Sequence, residues 1–221
     1  MFAQDTLNHL CTPTTPDGPY LRPFVCRGPM MTGGALIVGV NPATPISASD
    51  GVAFDDYVSS LSDFERFLAI YDGIRAKHGK AGRTRTRNGL DAASCWLSAL
   101  GFSPVIDTNI SPYPTRDLRQ WKRLPATNQA LWVFEQVVKI FQPSLILLHG
   151  QNAYTQFSTR FAPEFARNGP FDEIVKQPRL GSVCWSFGGT AEAYVCKHLR
   201  FFGRNGGGQR FAPLRDALLG P

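Results

Sequence analysis

Short apolar segments that end in polar residues alternate along this chain with segments of helical periodicity. The apolar segments lie at residues 35–40, 105–110 and 144–148, with one or two more within 183–196. Between them, apolar residues recur at spacings of three and four, as they do on one side of a helix. This alternation predicts an α/β protein whose mostly parallel sheet is covered by helices on both faces.

The helical segments have recognisable limits. Residues 54–74 carry one apolar stripe, which predicts one helix or two joined helices. A flexible basic loop is predicted at residues 77–87, followed by a helix over 88–100. Thr127 can cap a further helix, and residues 213–219 form a short closing helix.

Residues 1–34 differ from the rest of the chain in being rich in threonine, proline and glycine. Their prolines are expected to break regular structure, so this part is interpreted as an N-terminal arm laid over the domain. The remaining residues, 35–221, are predicted to form a single domain, because 221 residues suffice for one core.

The strands end in side chains that can do chemistry. In parallel sheets, ligands bind at the carboxyl ends of the strands. Asn41, Asn109, His149 and His198 follow or end successive apolar segments. We therefore expect these four residues near one edge of the sheet.

The charge and the cysteine pattern limit the kinds of partner, location and cofactor that can be expected. Lys and Arg number 23 against 17 acidic residues, a net charge of +6 that favours an anionic partner, nucleic acid above all, although solubility alone can also account for it. The five cysteines contain no C-x-x-C pair, which indicates reduced thiols and a cytoplasmic location. No metal-ligand spacing appears and no motif places a lysine as a nucleophile, so we expect neither a metal nor another cofactor. Because the chain has no long apolar run, a membrane partner is not expected. A monomer is the simplest assembly.

Four motifs occur in order along the chain: LIVGVNPA at residues 36–43, TN at 108–109 with PY at 112–113, LLHGQNA at 147–153, and VCKHLRFFG at 195–203. Together they resemble the uracil-DNA glycosylase superfamily, the first motif in its mismatch-specific form. The resemblance implies a three-layer αβα sandwich with a central, mostly parallel four-stranded sheet. It departs from the family at Leu199-Arg200, where Pro-Ser is usual, at Asn41, where many members have an acid, and in lacking the cysteines of the iron–sulfur branch.

The resemblance implies roles for several residues. Asn41 would orient a water beneath the sugar, and His198 would stabilise the departing base by hydrogen bonding. Asn109 would read the flipped base, Phe54 or Tyr113 would stack on it, and Val40 belongs to the same base-binding set. Leu199 would fill the gap left in the DNA. Phosphate contacts are expected from the following residues: Arg83, Arg85, Arg87, His149, Arg200 and Arg204.

The resulting prediction is a monofunctional DNA glycosylase that flips a uracil or a modified pyrimidine out of DNA and hydrolyses its N-glycosidic bond. Two alternatives stay open: a sensor that binds damaged or modified bases without cutting, and an anti-phage glycosylase acting on hypermodified cytosine. A nucleotide-binding α/β enzyme is disfavoured, because neither a P-loop nor a G-x-G-x-x-G motif follows the first strand.

Overall fold

The protein is described by a computed structural model that covers residues 4–115, 128–203 and 207–220. Its strands are β1 (Phe24–Arg27), β2 (Ala35–Gly39), β3 (Val105–Asn109), β4 (Leu145–His149), β5 (Arg179–Cys184) and β6 (Thr190–Cys196). Its α-helices are α1 (Gln4–Cys11), α2 (Phe54–Ser60), α3 (Phe64–Lys77), α4 (Arg85–Ala99), α5 (Asn128–Phe141), α6 (Gln151–Arg160), α7 (Phe171–Ile174) and α8 (Ala212–Leu219).

The described strands form one sheet in the order β1-β3-β2-β4-β6-β5. The four inner strands are parallel, and the edge strands β1 and β5 are antiparallel to their neighbours. The prediction of a mostly parallel sheet is confirmed, but the expected number of four strands is wrong, because the sheet has six. Strand β5 is largely exposed and therefore lacks the apolar pattern that marks the inner strands.

The prediction of an N-terminal arm without regular structure is wrong. Helix α1 and strand β1 lie within residues 1–34, and β1 pairs with β3 as part of the sheet. Leu7, Cys11 and Phe24 are buried in the main core. The prolines of this segment flank β1 rather than interrupt it, so residues 24–27 keep all their backbone donors.

Helices pack on both faces of the sheet. Leu36 and Val38 of β2 belong to a large apolar cluster with residues of α3, α5 and α6. Ala35 and Ile37, which alternate with them, belong to a second cluster with residues of α4 and α8. The alternation of β2 therefore separates two cores, each closed by its own helices.

The helix predictions are confirmed in outline. The stripe at residues 54–74 forms two helices, α2 and α3, and the closing helix is α8. Helix α4 begins at Arg85, earlier than predicted, because the Thr84 side chain accepts a hydrogen bond from Arg87 N at 3.0 Å and caps it. Thr127, the predicted cap of α5, lies outside the described residues. Of the described helices, none is both long and apolar enough to cross a bilayer.

Candidate functional site

A cavity of about 460 Å³ opens at the carboxyl ends of the parallel strands. It lies where the chain order of the sheet reverses, since β3 flanks β2 on one side and β4 flanks it on the other. The predicted residues that line the cavity are Val40, Asn41, Arg87, Asn109, His149 and His198. The expected meeting of strand-end side chains at one edge is therefore confirmed.

Asn41 follows β2 and is held by a single strong contact. Its Nδ2 donates to Thr115 Oγ1 at 2.6 Å. This bond fixes the plane of the amide and leaves Oδ1 as an acceptor beside the cavity. An amide oxygen can orient a water molecule, although it cannot take up its proton at neutral pH.

Asn109 and His149 converge over Gly39 at the end of β2. A Cβ at position 39 would lie 2.5 Å from Asn109 Oδ1 and 2.9 Å from His149 Nε2, so only glycine fits there. The Asn109 amide is half-buried, and no hydrogen bond joins it to another residue of the described part of the chain. Both its donor and its acceptor are therefore available to a ligand.

His149 is enclosed, and burial with the nearby charges of His198 and Arg87 lowers the pKa of its imidazole to about 3. The ring is consequently neutral at physiological pH. Its Nδ1 has no hydrogen-bond partner among the described residues. A neutral, enclosed ring binds phosphate less well than a cation at the surface does. The predicted phosphate contact of His149 is therefore wrong, and the residue lines the floor of the cavity instead.

His198 is presented by the chain between β6 and a short 3-10 helix, Leu199–Phe201. Its Nδ1 accepts a hydrogen bond from Arg200 N at 3.2 Å. Burial, helped by the charge of Arg200, lowers the pKa of His198 and favours the neutral ring. Since Nδ1 is the acceptor, the ring proton is on Nε2, and His198 is a neutral N–H donor.

Two glycines allow the His198 turn to sit this close to its neighbours. A Cβ on Gly89 of α4 would overlap the carbonyl oxygen of Leu199. Gly150, at a φ of +87°, would bring a Cβ to 3.3 Å from His198 Cδ2. The rings of His149 and His198 then meet edge to face, with centroids 5.0 Å apart.

Arg87 is not a surface phosphate ligand, and that prediction is wrong. The side chain is buried and donates to Asp91 at 2.7 Å and to Asp107 at 2.6 Å. It lies on the inner side of α4, facing β3, where a charge requires partners. Arg83 is also engaged, in ion pairs with Asp72 and Asp91, whereas Arg85 is exposed at the start of α4.

Three other predicted contacts lie outside the cavity. Phe54 packs against the main core, edge to face with Tyr20 at 5.3 Å, so its predicted stacking role is wrong for this arrangement. Tyr113 donates to Gln129 Oε1 at 3.0 Å and is not among the residues that line the cavity. Leu199 is fully buried in the second core, which contradicts its proposed role as a wedge. Arg204 lies outside the described residues.

Phe201 is a residue that the sequence interpretation missed. Its side chain is 41% exposed and lines the cavity. The guanidinium groups of Arg200 and Arg210 each lie 4.4 Å from its ring centroid. A partly exposed aromatic ring with arginines close by is a fitting contact for a nucleobase and its phosphates. The signal was the pair Arg200-Phe201 directly after Leu199, whereas the family resemblance implied Leu199 as the residue that fills the gap in the DNA.

Asp107 and Arg22 were also missed. Asp107 is in the middle of β3, one pleat below Asn109 on the same face, and lines the cavity. Burial raises the pKa of its carboxyl, and Arg87 opposes that effect. Arg22 is buried on the far wall and donates to Ala43 O and Thr44 O, which fixes the loop after Asn41.

Within the described part of the chain, no group of three His, Cys, Asp or Glu side chains is arranged as metal ligands would be. A scan against protein-family models finds no match, and a search of curated proteins finds none either. The candidate site therefore has to be interpreted from its own geometry.

Proposed function

We propose that this protein is a monofunctional DNA glycosylase that receives a flipped pyrimidine in the cavity and hydrolyses its N-glycosidic bond. The observation that carries the proposal is the meeting of Asn41, Asn109 and a neutral, N–H-donating His198 in one cavity. Helices on both faces of the sheet support the αβα sandwich that the motif resemblance implies. The cavity volume of 460 Å³ is within the range of small-molecule sites.

The proposed reaction separates charge, and the site supplies a group for each charge. Negative charge develops on the leaving base, where an N–H donor stabilises it by hydrogen bonding. His198 Nε2 is that donor. Positive charge develops on the sugar, towards which Asn41 Oδ1 would direct a water. The water oxygen forms a bond to C1′ as the glycosidic C–N bond breaks, and the proton that the water releases passes through solvent to the departing base anion. Asn109 would hold the base by its amide.

Contact with DNA would be made at the rim of the cavity. Phe201 would take the role that Leu199 cannot, by stacking in the gap left by the flipped base. Arg200 and Arg210, whose guanidinium groups lie close to the Phe201 ring, and the exposed Arg85 would meet phosphates. The proposed enzyme works as a monomer and without a cofactor.

A sensor that binds the base without cutting it is the second candidate. It is favoured by one observation: the side chain at the end of β2 is an amide whose Nδ2 is bonded to Thr115, where a base catalyst would need a carboxylate or imidazole. Such a protein would keep DNA affinity and have no excision rate.

The test is an excision assay on labelled DNAs that carry uracil, mismatched thymine, hydroxymethylcytosine or glucosylated hydroxymethylcytosine, with alkali to cleave abasic sites. We expect strand breaks on at least one substrate. His198→Ala should lower the rate about a hundredfold or more, because it removes the donor to the leaving group. Asn41→Ala should lower it as well, by loss of the positioned water.

The matched control is His78→Ala, which removes an exposed histidine at the α3 C-terminus that does not line the cavity. It should keep the full rate. If every DNA stayed intact while the protein still bound one of them, the glycosylase proposal would be wrong and the sensor proposal would be favoured. Equal loss of activity in His198→Ala, Asn41→Ala and His78→Ala would contradict the catalytic roles proposed for His198 and Asn41.

A further inference from the structure

The floor of the cavity contains an acceptor that a uracil does not need. Asp107 and Asn109 point to the same face of β3, and both line the cavity. The strand rise puts their Cα atoms roughly 7 Å apart along the strand. A base held by Asn109 would thus have the Asp107 carboxylate beneath its inner edge.

One oxygen of that carboxylate is unengaged. Asp107 Oδ2 accepts from Arg87 Nη1 at 2.6 Å, while no described residue donates to Oδ1. The Asp107 side chain retains 11% of its surface, and the unpartnered Arg87 Nη2 is enclosed. The group that a ligand can touch here is therefore a carboxylate oxygen rather than a guanidinium nitrogen.

The ionic state of Asp107 follows from its neighbours. Arg87 is shared between Asp107 and Asp91, and Arg83 also pairs with Asp91. Burial raises the pKa of the Asp107 carboxyl, but the Arg87 guanidinium donates to it at 2.6 Å, and this ion pair is made by the ionised carboxylate. An ionised carboxylate is an acceptor only.

We infer that the cavity selects a pyrimidine with an exocyclic 4-amino group, a cytosine-type base, over one with a 4-carbonyl group. The 4-amino group of cytosine is a donor, which matches a carboxylate oxygen, whereas the O4 atom of uracil or thymine is an acceptor and would face it with like charge. Asp107 is the specificity-determining residue, and Asn109 completes the contact through its own amide. This inference rests on the proposed function for its site.

The preference can be measured by binding, independently of any cleavage. Titration calorimetry would compare 2′-deoxycytidine with 2′-deoxyuridine, and 2′-fluoro-substituted DNA carrying either base, whose glycosidic bond resists hydrolysis. We expect the cytosine form to bind about tenfold tighter or more. Asp107→Asn, which can still accept from Arg87 and can turn a donor to the base, should abolish or invert this ratio.

Two controls keep the result interpretable. Asp56→Asn makes the same chemical change in an exposed ion pair with Arg66, outside the cavity, and should leave the ratio unchanged. The 2-pyrimidinone deoxynucleoside lacks the 4-amino group and tests the unmodified protein without any substitution; it should bind as weakly as the uracil form.

The outcomes separate the two proposals. Cytosine-selective binding without excision of any base supports the proposed role of Asp107 and contradicts the glycosylase proposal. Excision or binding that favours uracil, an unchanged ratio in a folded Asp107→Asn variant, or failure to bind either pyrimidine overturns the inference, whatever the excision assay shows.

Discussion

His149 is a buried histidine of the cavity, and its ring is neutral. Its folded pKa of about 3 is far below the ordinary value of 6.5. Below pH 6.5 the unfolded chain therefore binds a proton at this ring that the folded chain refuses until about pH 3. Stability from the neutral ring is complete above pH 6.5 and is lost as the pH falls towards 3.

Acid should accordingly destabilise the protein through His149 by about 1.4 kcal/mol for each pH unit within this window. Urea unfolding at pH 7 and pH 5 would measure it, and replacing the ring by Asn should make the fall in unfolding free energy about 2 kcal/mol smaller. The His78→Asn variant controls for the removal of an exposed histidine. Equal falls in the unmodified protein and the His149→Asn variant would contradict the buried, neutral state.

At the scale of single residues, some positions of the site could be predicted from the sequence and others could not. The strand-end positions of Asn41 and Asn109 were predictable, because polar residues that follow apolar strands meet at one sheet edge. The burial of Arg87 was not, since its surroundings include Asp107 on a distant strand. Leu199 and Phe201 share one turn, and only the packing of that turn against α4 decides which of them is covered.

Among the elements, helix α4 shapes the site through several contacts. Its first turn is capped by Thr84, its Arg87 reaches Asp107, and its Gly89 receives the turn that carries His198. The helix therefore fixes both the floor of the cavity and the height of the histidine. A change at the contact of helix and turn should alter the site without touching any ligand.

Gly89→Ala should displace this turn, because the new Cβ would overlap the carbonyl oxygen of Leu199. We expect a loss of about 1–3 kcal/mol in unfolding free energy and a fall in excision rate or base affinity. Thermal unfolding and the two ligand assays would measure these effects. Gly73→Ala is the matched control, since Gly73 is also helical but has open space around it, and it should be neutral or stabilising.

The elements themselves were predictable to the extent that they are amphipathic or apolar. The four inner strands and most helices carry such patterns, whereas β1 is short and lies among prolines, and β5 is largely exposed apart from Val183. Edge strands need less apolar surface than buried ones, so their sequences carry a weaker signal.

For the molecule as a whole, we propose that the net charge of +6 favours DNA binding through the arginines at the cavity rim. DNA binding should weaken as salt increases, and the Arg200→Gln/Arg210→Gln variant should reduce the slope of log affinity against log salt by about 1–2. Filter binding or fluorescence anisotropy at several salt concentrations would measure the slope.

Arg160→Gln is the control for this experiment, because Arg160 ends α6 at the end opposite to the cavity. It changes the net charge by one and should keep the slope of the unmodified protein. If it reduced the slope as much as a rim substitution does, binding would depend on total charge rather than on the rim.

The order of the strands also determines when the site can exist during folding. Ala35 pairs with Leu145, and Leu145 with Glu192, so the inner sheet forms only after loops spanning most of the chain have closed. Such non-local pairing slows folding, because loop entropy is lost before the contacts are gained. The cavity, whose walls come from every inner strand, has no local precursor, so ligand binding should return during refolding only when the entire sheet has assembled.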